Sequence, residues 1–271
     1  MPELPEVETI ARGLAASISG KTIGAVRVTL ARVVSPSPER FAAELLGRRV
    51  TAVGRRAKWV VVELDTGRRL LVHLRMTGRL IVQRPGALDL EPHTHVELTF
   101  TDGARLCFAD VRTFGRMSLV DPDELWDAEV GVEPLSDAFS PECFTEMLRG
   151  RSTALKIFLL DQRKIAGIGN IYACEALWEA RIRPDRPAGS LSKDRRLRLH
   201  AAIRDILTSA VAMRGTSVVD YVDAEGLQGG FQNRLSVYGR TGEPCMRCAS
   251  PIVRTVLGQR GTWWCRVCQR T

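Results

Sequence analysis

The chain opens MPELPEVE, which places Pro2 directly after the initiator methionine and Glu3 beside it. A proline at position 2 favours methionine removal, and removal frees a secondary amine. A neutral amine is a nucleophile, and its adduct with a carbonyl-type carbon is an iminium. Proline's iminium has no N–H proton to lose, so its positive charge is fixed and it acts as an electron sink. A reference α-amino pKa of about 8 leaves a usable neutral fraction near neutrality, and a cationic site lowers it further. Glu3, one residue away, is suited to proton transfer. The same residues also read as simple helix punctuation, with a solvated charge at a helix end.

A second constellation lies at the other end. Cys245-x2-Cys248 and Cys265-x2-Cys268 are separated by sixteen residues. Each two-residue gap lets a cysteine pair chelate from a tight knuckle, the spacing of a four-thiolate zinc ribbon. Four protein ligands close the coordination sphere, so the expected zinc is structural. The segment between the pairs, ASPIVRTVLGQRGTWW, reads as a β-hairpin. Residues 240–271 carry six arginines against Glu243 alone. A hairpin this cationic suits a phosphate backbone, and Arg260 near its tip is the leading candidate for phosphate contact.

Other residues stand in turns where ordinary packing does not explain them. HLRMTGRL puts Met76 in a sharp turn, and ADVRTFGRM puts Arg112 and Phe114 in another. Exposed apolar wedges and a cation can fill the gap left when a base leaves a duplex. RRAKW places Lys58 near the start of a strand. IAGIGN places Asn170 at the start of a helix, where unpaired backbone N–H groups can hold a phosphate. His93 and His95 lie two apart, but no third ligand accompanies them, so they read as surface residues.

The elements that must position these groups follow from periodicity. Val7, Ile10, Ala11, Leu14 and Ile18 recur at helical spacing over 5–18. From 21 to about 120 the period changes to two, through AVRVTL, AKWVVVEL, RRLLVHLRM, GRLIV, THVELTF, ARLCFAD and GRMSLV. With turns at DTG (65–67) and TDG (101–103), this predicts an antiparallel β-sandwich behind one leading helix, without the crossover helices of a parallel sheet. Helices are expected near 141–149, 153–162, 170–180 and 192–213. The stretch DAEGLQGGFQNRL is too polar for a core and reads as a loop. The class is α+β. The expected domains are a catalytic sandwich over 1–130, a linker over 131–140, a helical domain over 141–235 and a zinc finger over 236–271.

The chain has 271 residues, a hydrophobic fraction of 45% and a net charge of +8, mostly from arginine, which favours phosphate-bearing partners. The opening residues do not form a signal peptide and no run is long enough to span a bilayer, so a cytoplasmic protein is expected. Cys107, Cys143 and Cys174 read as buried thiols without a function.

These motifs together resemble the bacterial formamidopyrimidine-DNA glycosylase family. The resemblance runs through PELPEVE, RRAKW, HLRMTG, Asp110 to Gly115, GIGNIYACEALW, VYGRTGEPC and the cysteine quartet. It implies a β-sandwich joined to a helix–two-turn–helix domain and a zinc finger. It also implies a glycosylase and abasic-site lyase that removes oxidised purines, 8-oxoguanine and formamidopyrimidines, from duplex DNA. Pro2 is then the nucleophile and Glu3 the proton carrier. Lys58, Asn170 and Arg260 grip phosphates, with Lys58 and Arg260 counted as catalytic. Lys156 lies near the lesion, His93 belongs with the DNA-contacting residues, and Met76, Arg112 and Phe114 fill the vacated space. The loop around 217–231 closes over the flipped base. One structural Zn2+ is the cofactor, DNA with oxidised bases or abasic sites is the partner, and a nucleoid-associated monomer is expected. Val132, Cys174 and Thr113 depart from residues frequent in the family. Two other readings are an endonuclease VIII-like enzyme for oxidised pyrimidines, whose start usually reads PEGPE, and a noncatalytic zinc-ribbon DNA-binding protein.

Overall fold

A computed structural model describes residues 1–87, 89–217 and 221–270. The chain divides into two compact units, Met1–Ala128 with Met213–Gly230, and Glu129–Ala212 with Phe231–Thr271.

In the first unit, helix α1 (Leu4–Ile18) starts from a Glu3 cap, with Pro5 in its first turn. Proline is pre-set for that position and lacks only an N–H that has no helical partner. Strands β1 (Ile23–Val28) and β2 (Val34–Ser35) follow, then the short helix α2 (Pro38–Leu45). Strands β3 (Val50–Arg56), β4 (Trp59–Leu64), β5 (Arg69–His73), β6 (Gly78–Gln83), β7 (Thr94–Phe100), β8 (Arg105–Asp110) and β9 (Arg116–Val120) complete the unit.

They form a five-stranded sheet in the order β2-β9-β5-β4-β3 and a four-stranded sheet in the order β1-β7-β8-β6. The pairing is antiparallel as expected, except for the short parallel contact of β2 with β9. One core joins the two sheets to α1, through Val7, Ile10 and Leu14 with Val60, Val72, Leu80 and Phe108. The sandwich expected from the period of two is therefore present, and its leading helix is a core element.

The second unit holds α3 (Pro141–Leu148), α4 (Leu155–Leu160), α5 (Asn170–Glu179) and α6 (Lys193–Ala212), followed by the hairpin β10 (Ile252–Leu257) and β11 (Arg260–Cys265). The stretch 131–140, expected to be a linker, is bound into this unit. Gly131 N–H donates to Gln162 O at 2.8 Å, and Val132 bridges Ile165. A Cβ at Gly131 would lie 2.4 Å from Lys164 backbone, so only glycine fits.

The loop between α6 and the ribbon also departs from the expected boundaries. Residues 213–230 belong to the sandwich unit and not to the helical one. Ala224 is fully buried in the sandwich core, and Val82 N–H donates to its carbonyl at 3.0 Å. A polar stretch read as a loop thus conceals one apolar anchor. Residues 218–220 of the expected closing loop lie outside the described residues.

Candidate active site and metal centre

Pro2 and Glu3 are both buried, with Met1 43% exposed ahead of them. Glu3 caps α1 through a reciprocal arrangement with Glu6. Glu3 N–H donates to Glu6 Oε2 at 2.7 Å, while Glu6 Oε1 accepts Thr216 N–H at 2.7 Å. Gly215 runs so close to Glu6 that an added Cβ would sit 2.8 Å from Oε1, and its φ is +79°. The Tyr221 hydroxyl donates to Glu6 O at 3.4 Å. Burial first, and then the Glu6 charge, hold that phenol well above its ordinary pKa, so it remains protonated as a donor. Helix punctuation is therefore real here, and it is also what holds the amino terminus against the 213–230 loop.

Lys58 stands in the two-residue turn between β3 and β4, after Ala57 with φ +52°. It is 6% exposed. The turn from β5 to β6, which passes from one sheet to the other, carries Met76, which is 43% exposed. It closes because Gly78 N–H donates to Leu74 O at 3.0 Å, where a Cβ would lie 2.6 Å from that oxygen. Arg75 takes φ +53° and donates its N–H to His73 Nδ1 at 3.0 Å. Burial pushes the His73 imidazole pKa down to about 3, and the Arg75 and Lys58 charges add to it. The ring is neutral with Nδ1 accepting, so its proton sits on Nε2.

Arg112 and Phe114 are exposed on the turn between β8 and β9, with the guanidinium 4.9 Å from the Phe114 ring centre. Asp110, 1% exposed, ties this turn to the Met76 turn. Its Oδ1 accepts the Thr77 hydroxyl at 2.5 Å and Arg112 N–H at 3.2 Å, and its Oδ2 accepts Gly115 N–H at 2.7 Å. Gly115 is required, since a Cβ there would lie 2.6 Å from Phe108. His93 is exposed with φ +61°, on a cleft of about 260 Å3 that Thr77, Arg79 and Asp110 also line. The first unit thus gathers Met76, Arg112 and His93 around one buried carboxylate.

In the second unit, Asn170 begins α5 after a glycine turn clamped by Gln162. Gln162 Oε1 accepts Gly167 N–H at 2.9 Å, and its Nε2 donates to Ile168 O at 2.7 Å. The Asn170 amide donates to Gly261 O at 3.0 Å, and its buried Oδ1 has no hydrogen-bond partner among the described residues. Lys156, which the resemblance puts near the lesion, is 0% exposed, and its Nζ donates to Gly261 O at 2.8 Å and Thr262 Oγ1 at 2.7 Å. The aliphatic stem is swallowed by the α4 packing and the ammonium faces the hairpin. Both side chains therefore hold the strand directly after Arg260. Arg260 itself is exposed, beside a two-residue turn in which Gly258 and Gln259 have φ +57° and +61°. Two left-handed residues match the twist of a tight hairpin.

The four cysteine sulfurs all lie within 4.8 Å of one another, with Cys245–Cys268 at 3.8 Å and Cys248–Cys265 at 3.5 Å. A tetrahedral ion with Zn–S bonds of about 2.3 Å separates its sulfurs by about 3.8 Å. The donor set and spacing fit one zinc ion. Gln269, fully buried, accepts Cys265 N–H at 2.8 Å and donates to Ile182 O at 2.9 Å, fixing the second knuckle. Glu175 accepts the N–H groups of Ser236, Val237 and Tyr238 at 2.8, 3.0 and 2.8 Å, fixing the chain that enters the ribbon.

Glu6, His73, Asp110, Gln162 and Glu175 were not singled out from sequence as site residues. The capping spacing Glu3-x2-Glu6 was available as a signal, as was an Asp two residues before Arg112 N–H, a common Asx turn. Glu175 has no local signal, because its partners lie about sixty positions away.

A sandwich that begins at a buried Pro-Glu, displays apolar and cationic turns, and accompanies a cationic four-cysteine ribbon defines a zinc-ribbon enzyme of nucleic acids. Comparison with known proteins narrows the class. The profile of the formamidopyrimidine-DNA glycosylase N-terminal domain matches residues 1–117, that of its H2TH domain matches 130–222, and a zinc finger found in FPG and IleRS matches 242–271. The formamidopyrimidine-DNA glycosylase of Chloroflexus aggregans is 50% identical over 99% of this chain and 98% of its own length. That of Geobacillus kaustophilus is 47% identical and fully covered on both sides. The Lactococcus lactis enzyme bound to DNA containing an abasic site superposes with a TM-score of 0.93 at 36% identity, covering 99% of this chain and 100% of that one. The chain belongs to the formamidopyrimidine-DNA glycosylase family.

Proposed function

We propose that this chain is a base-excision repair enzyme that removes oxidised purines from duplex DNA and then nicks the abasic strand. The observation that carries the reading is Pro2 followed by the buried, helix-capping Glu3, in a chain that matches the family along its length. After loss of Met1, the Pro2 nitrogen lone pair attacks C1′ of the damaged nucleotide. The bond from C1′ to the base breaks, its electrons leave with the base, and a proton supplied at the site neutralises them. Ring opening gives the Pro2 iminium. The iminium acidifies C2′–H; the proton is removed, and the 3′ phosphate leaves by β-elimination. A second elimination expels the 5′ phosphate. Glu3 carries protons in these steps.

Lys58, Asn170 and Arg260 are assigned to flanking phosphates, and Met76, Arg112 and Phe114 to the space vacated by the extruded nucleotide. His93 is assigned to the DNA surface beside that wedge. Zinc, when bound, supplies no chemistry beyond holding the ribbon in shape. Association with the nucleoid follows from DNA binding. Borohydride should reduce the iminium and leave a covalent adduct at Pro2 with 8-oxoguanine or abasic DNA. A protein lacking Met1 that gives no adduct, or an adduct on another residue, would reject the reading.

A further inference from the structure

Helix α5 and the ribbon meet at two places. The Asn170 amide reaches Gly261 O, next to Arg260, and Gln269 Nε2 reaches Ile182 O, past the other end of the helix. Ten helical residues span about 15 Å, so the knuckle end of the ribbon stands well away from the residues assigned to phosphates. At that end Arg183, Trp264, Arg266, Gln269 and Arg270 line a cleft of about 480 Å3. Three of them are pinned. Gln269 is fully buried and bonded through both ends of its amide, to Cys265 N–H and Ile182 O. Trp264 donates its indole N–H to Thr255 Oγ1 at 3.3 Å. The Arg183 guanidinium lies 5.3 Å from the Trp264 ring centre, and Asp185 fills its fork at 3.0 and 2.6 Å. Arg266 and Arg270 differ. Both are exposed, and among the described residues no carboxylate pairs with either. Arg270 Nε–H donates to Val267 O at 2.9 Å. Val267 is 40% exposed beside these arginines, and Met246 on the neighbouring knuckle is 61% exposed.

We propose that this cleft docks an extended acidic segment of a partner protein. Carboxylates of the segment meet Arg266 and Arg270, whose planar forks match them, and an apolar side chain between those carboxylates rests on Val267. Arginine, methionine and tryptophan are the residues that protein interfaces favour, with apolar contacts ringed by polar ones. A phosphate backbone would use the cations but leave Val267 and Met246 in water. It would also carry an unbroken line of negative charge past Asp185, whereas a peptide can space its acids to avoid that carboxylate. Pinned walls lower the entropy lost on docking. Because the cleft lies away from Asn170 and Arg260, a partner can be held while DNA is bound. That last step rests on the phosphate assignments above; the docking site itself does not.

The test uses the full-length zinc-loaded protein and a short fluorescein-labelled peptide in which Asp and Leu alternate, with binding read by fluorescence anisotropy at constant salt. Combining Arg266→Glu with Arg270→Glu should weaken binding by about tenfold or more, while Arg260→Ala should leave it unchanged. An all-Asp peptide of equal length should bind more weakly. Prebound abasic duplex should not displace the probe, and the double variant should nick that duplex at the wild-type rate, which also shows that it folds. A measurement without mutation stands beside these. In 15N-labelled wild-type protein the probe should move the Trp264 indole and Arg266 amide signals and leave that of Gly261 in place. No binding of the probe, wild-type binding by the double variant, displacement by duplex, or equal binding of the all-Asp peptide would each overturn the proposal. So would tighter binding of a single-stranded oligonucleotide that is lost in the double variant, which would make the cleft a nucleic-acid contact. None of these outcomes alters the borohydride adduct at Pro2, so the two readings fail separately.

Discussion

Glu6 accepts the backbone N–H of Thr216 at 2.7 Å, across 210 positions of sequence. The other oxygen of the same carboxylate holds Glu3 N–H. One side chain therefore ties the residue next to the proposed nucleophile to the root of the loop proposed to close over the base. The loop is further braced by Arg214, which pairs with both Asp223 and Glu225, and by Gly230 N–H donating to Met213 O at 2.8 Å.

Replacing Glu6 with Gln tests this link. Glutamine keeps one acceptor but turns the other oxygen into a donor that faces an N–H. Hydrogen bonds to a charged group contribute about 1.5–3 kcal/mol. Base excision from 8-oxoguanine DNA should slow by about tenfold to a hundredfold in single-turnover assays. Nicking of a preformed abasic site should fall less, since no base remains for the loop to cover. Equal losses on both substrates would show that Glu6 acts only through Glu3.

Much of this arrangement was legible in the sequence, for identifiable reasons. The strands alternate because one face of each sheet meets a core, so Val60, Val62, Leu70 and Val72 announced themselves. The four cysteines announced a metal because chelation demands short spacing. Lys156 did not announce its partner. Its contact with Gly261 spans 105 positions, and nothing local distinguishes a buried lysine from a surface one. Glu6 reads as a helix-start charge, and Asp110 only as the first residue of the family-like stretch that ends at Gly115. Their second partners, Thr216 and Thr77, come together only through the tertiary fold.

His73 makes a pH prediction. Its folded pKa of about 3 lies below the ordinary value of 6.5, chiefly through burial. Between those values the unfolded chain binds the proton and the folded chain does not. Stability from this residue is fully present above about pH 6.5 and is lost as pH falls toward 3, by up to about 1.4 kcal/mol per pH unit. His73→Asn retains an acceptor for Arg75 N–H and cannot titrate. Melting temperatures between pH 4.5 and 6.5 should therefore rise less steeply with pH in the variant. Parallel curves would mean that His73 does not control this range.

Asp110 is acceptor-only, and three donors converge on it. Asp110→Asn sets an amide N–H against at least one of them. A destabilisation of about 2 kcal/mol is expected, or about 4–8 °C in the melting of the sandwich unit. Since this carboxylate and Thr77 link the Met76 and Arg112 turns, the opposite-base preference should also weaken. Excision rates opposite C and A, measured beside calorimetry, check both parts. Unaltered preference with a lowered melting temperature would confine Asp110 to stability.

Arg260 and Lys156 separate a phosphate contact from its support. Binding to DNA should weaken as salt rises, and Arg260→Ala should reduce the slope of log K against log salt by about 0.9, one phosphate. Lys156 is buried, with its ammonium on Gly261 O and Thr262 Oγ1, a geometry that holds the hairpin in place. Lys156→Met should weaken binding because Asn170 alone remains on Gly261 O. In the Arg260→Ala background, the same replacement should leave the slope where Arg260→Ala had put it. A further drop of about 0.9 in the double variant would mean that Lys156 meets a phosphate after all, and that the hairpin must open to release it when DNA binds.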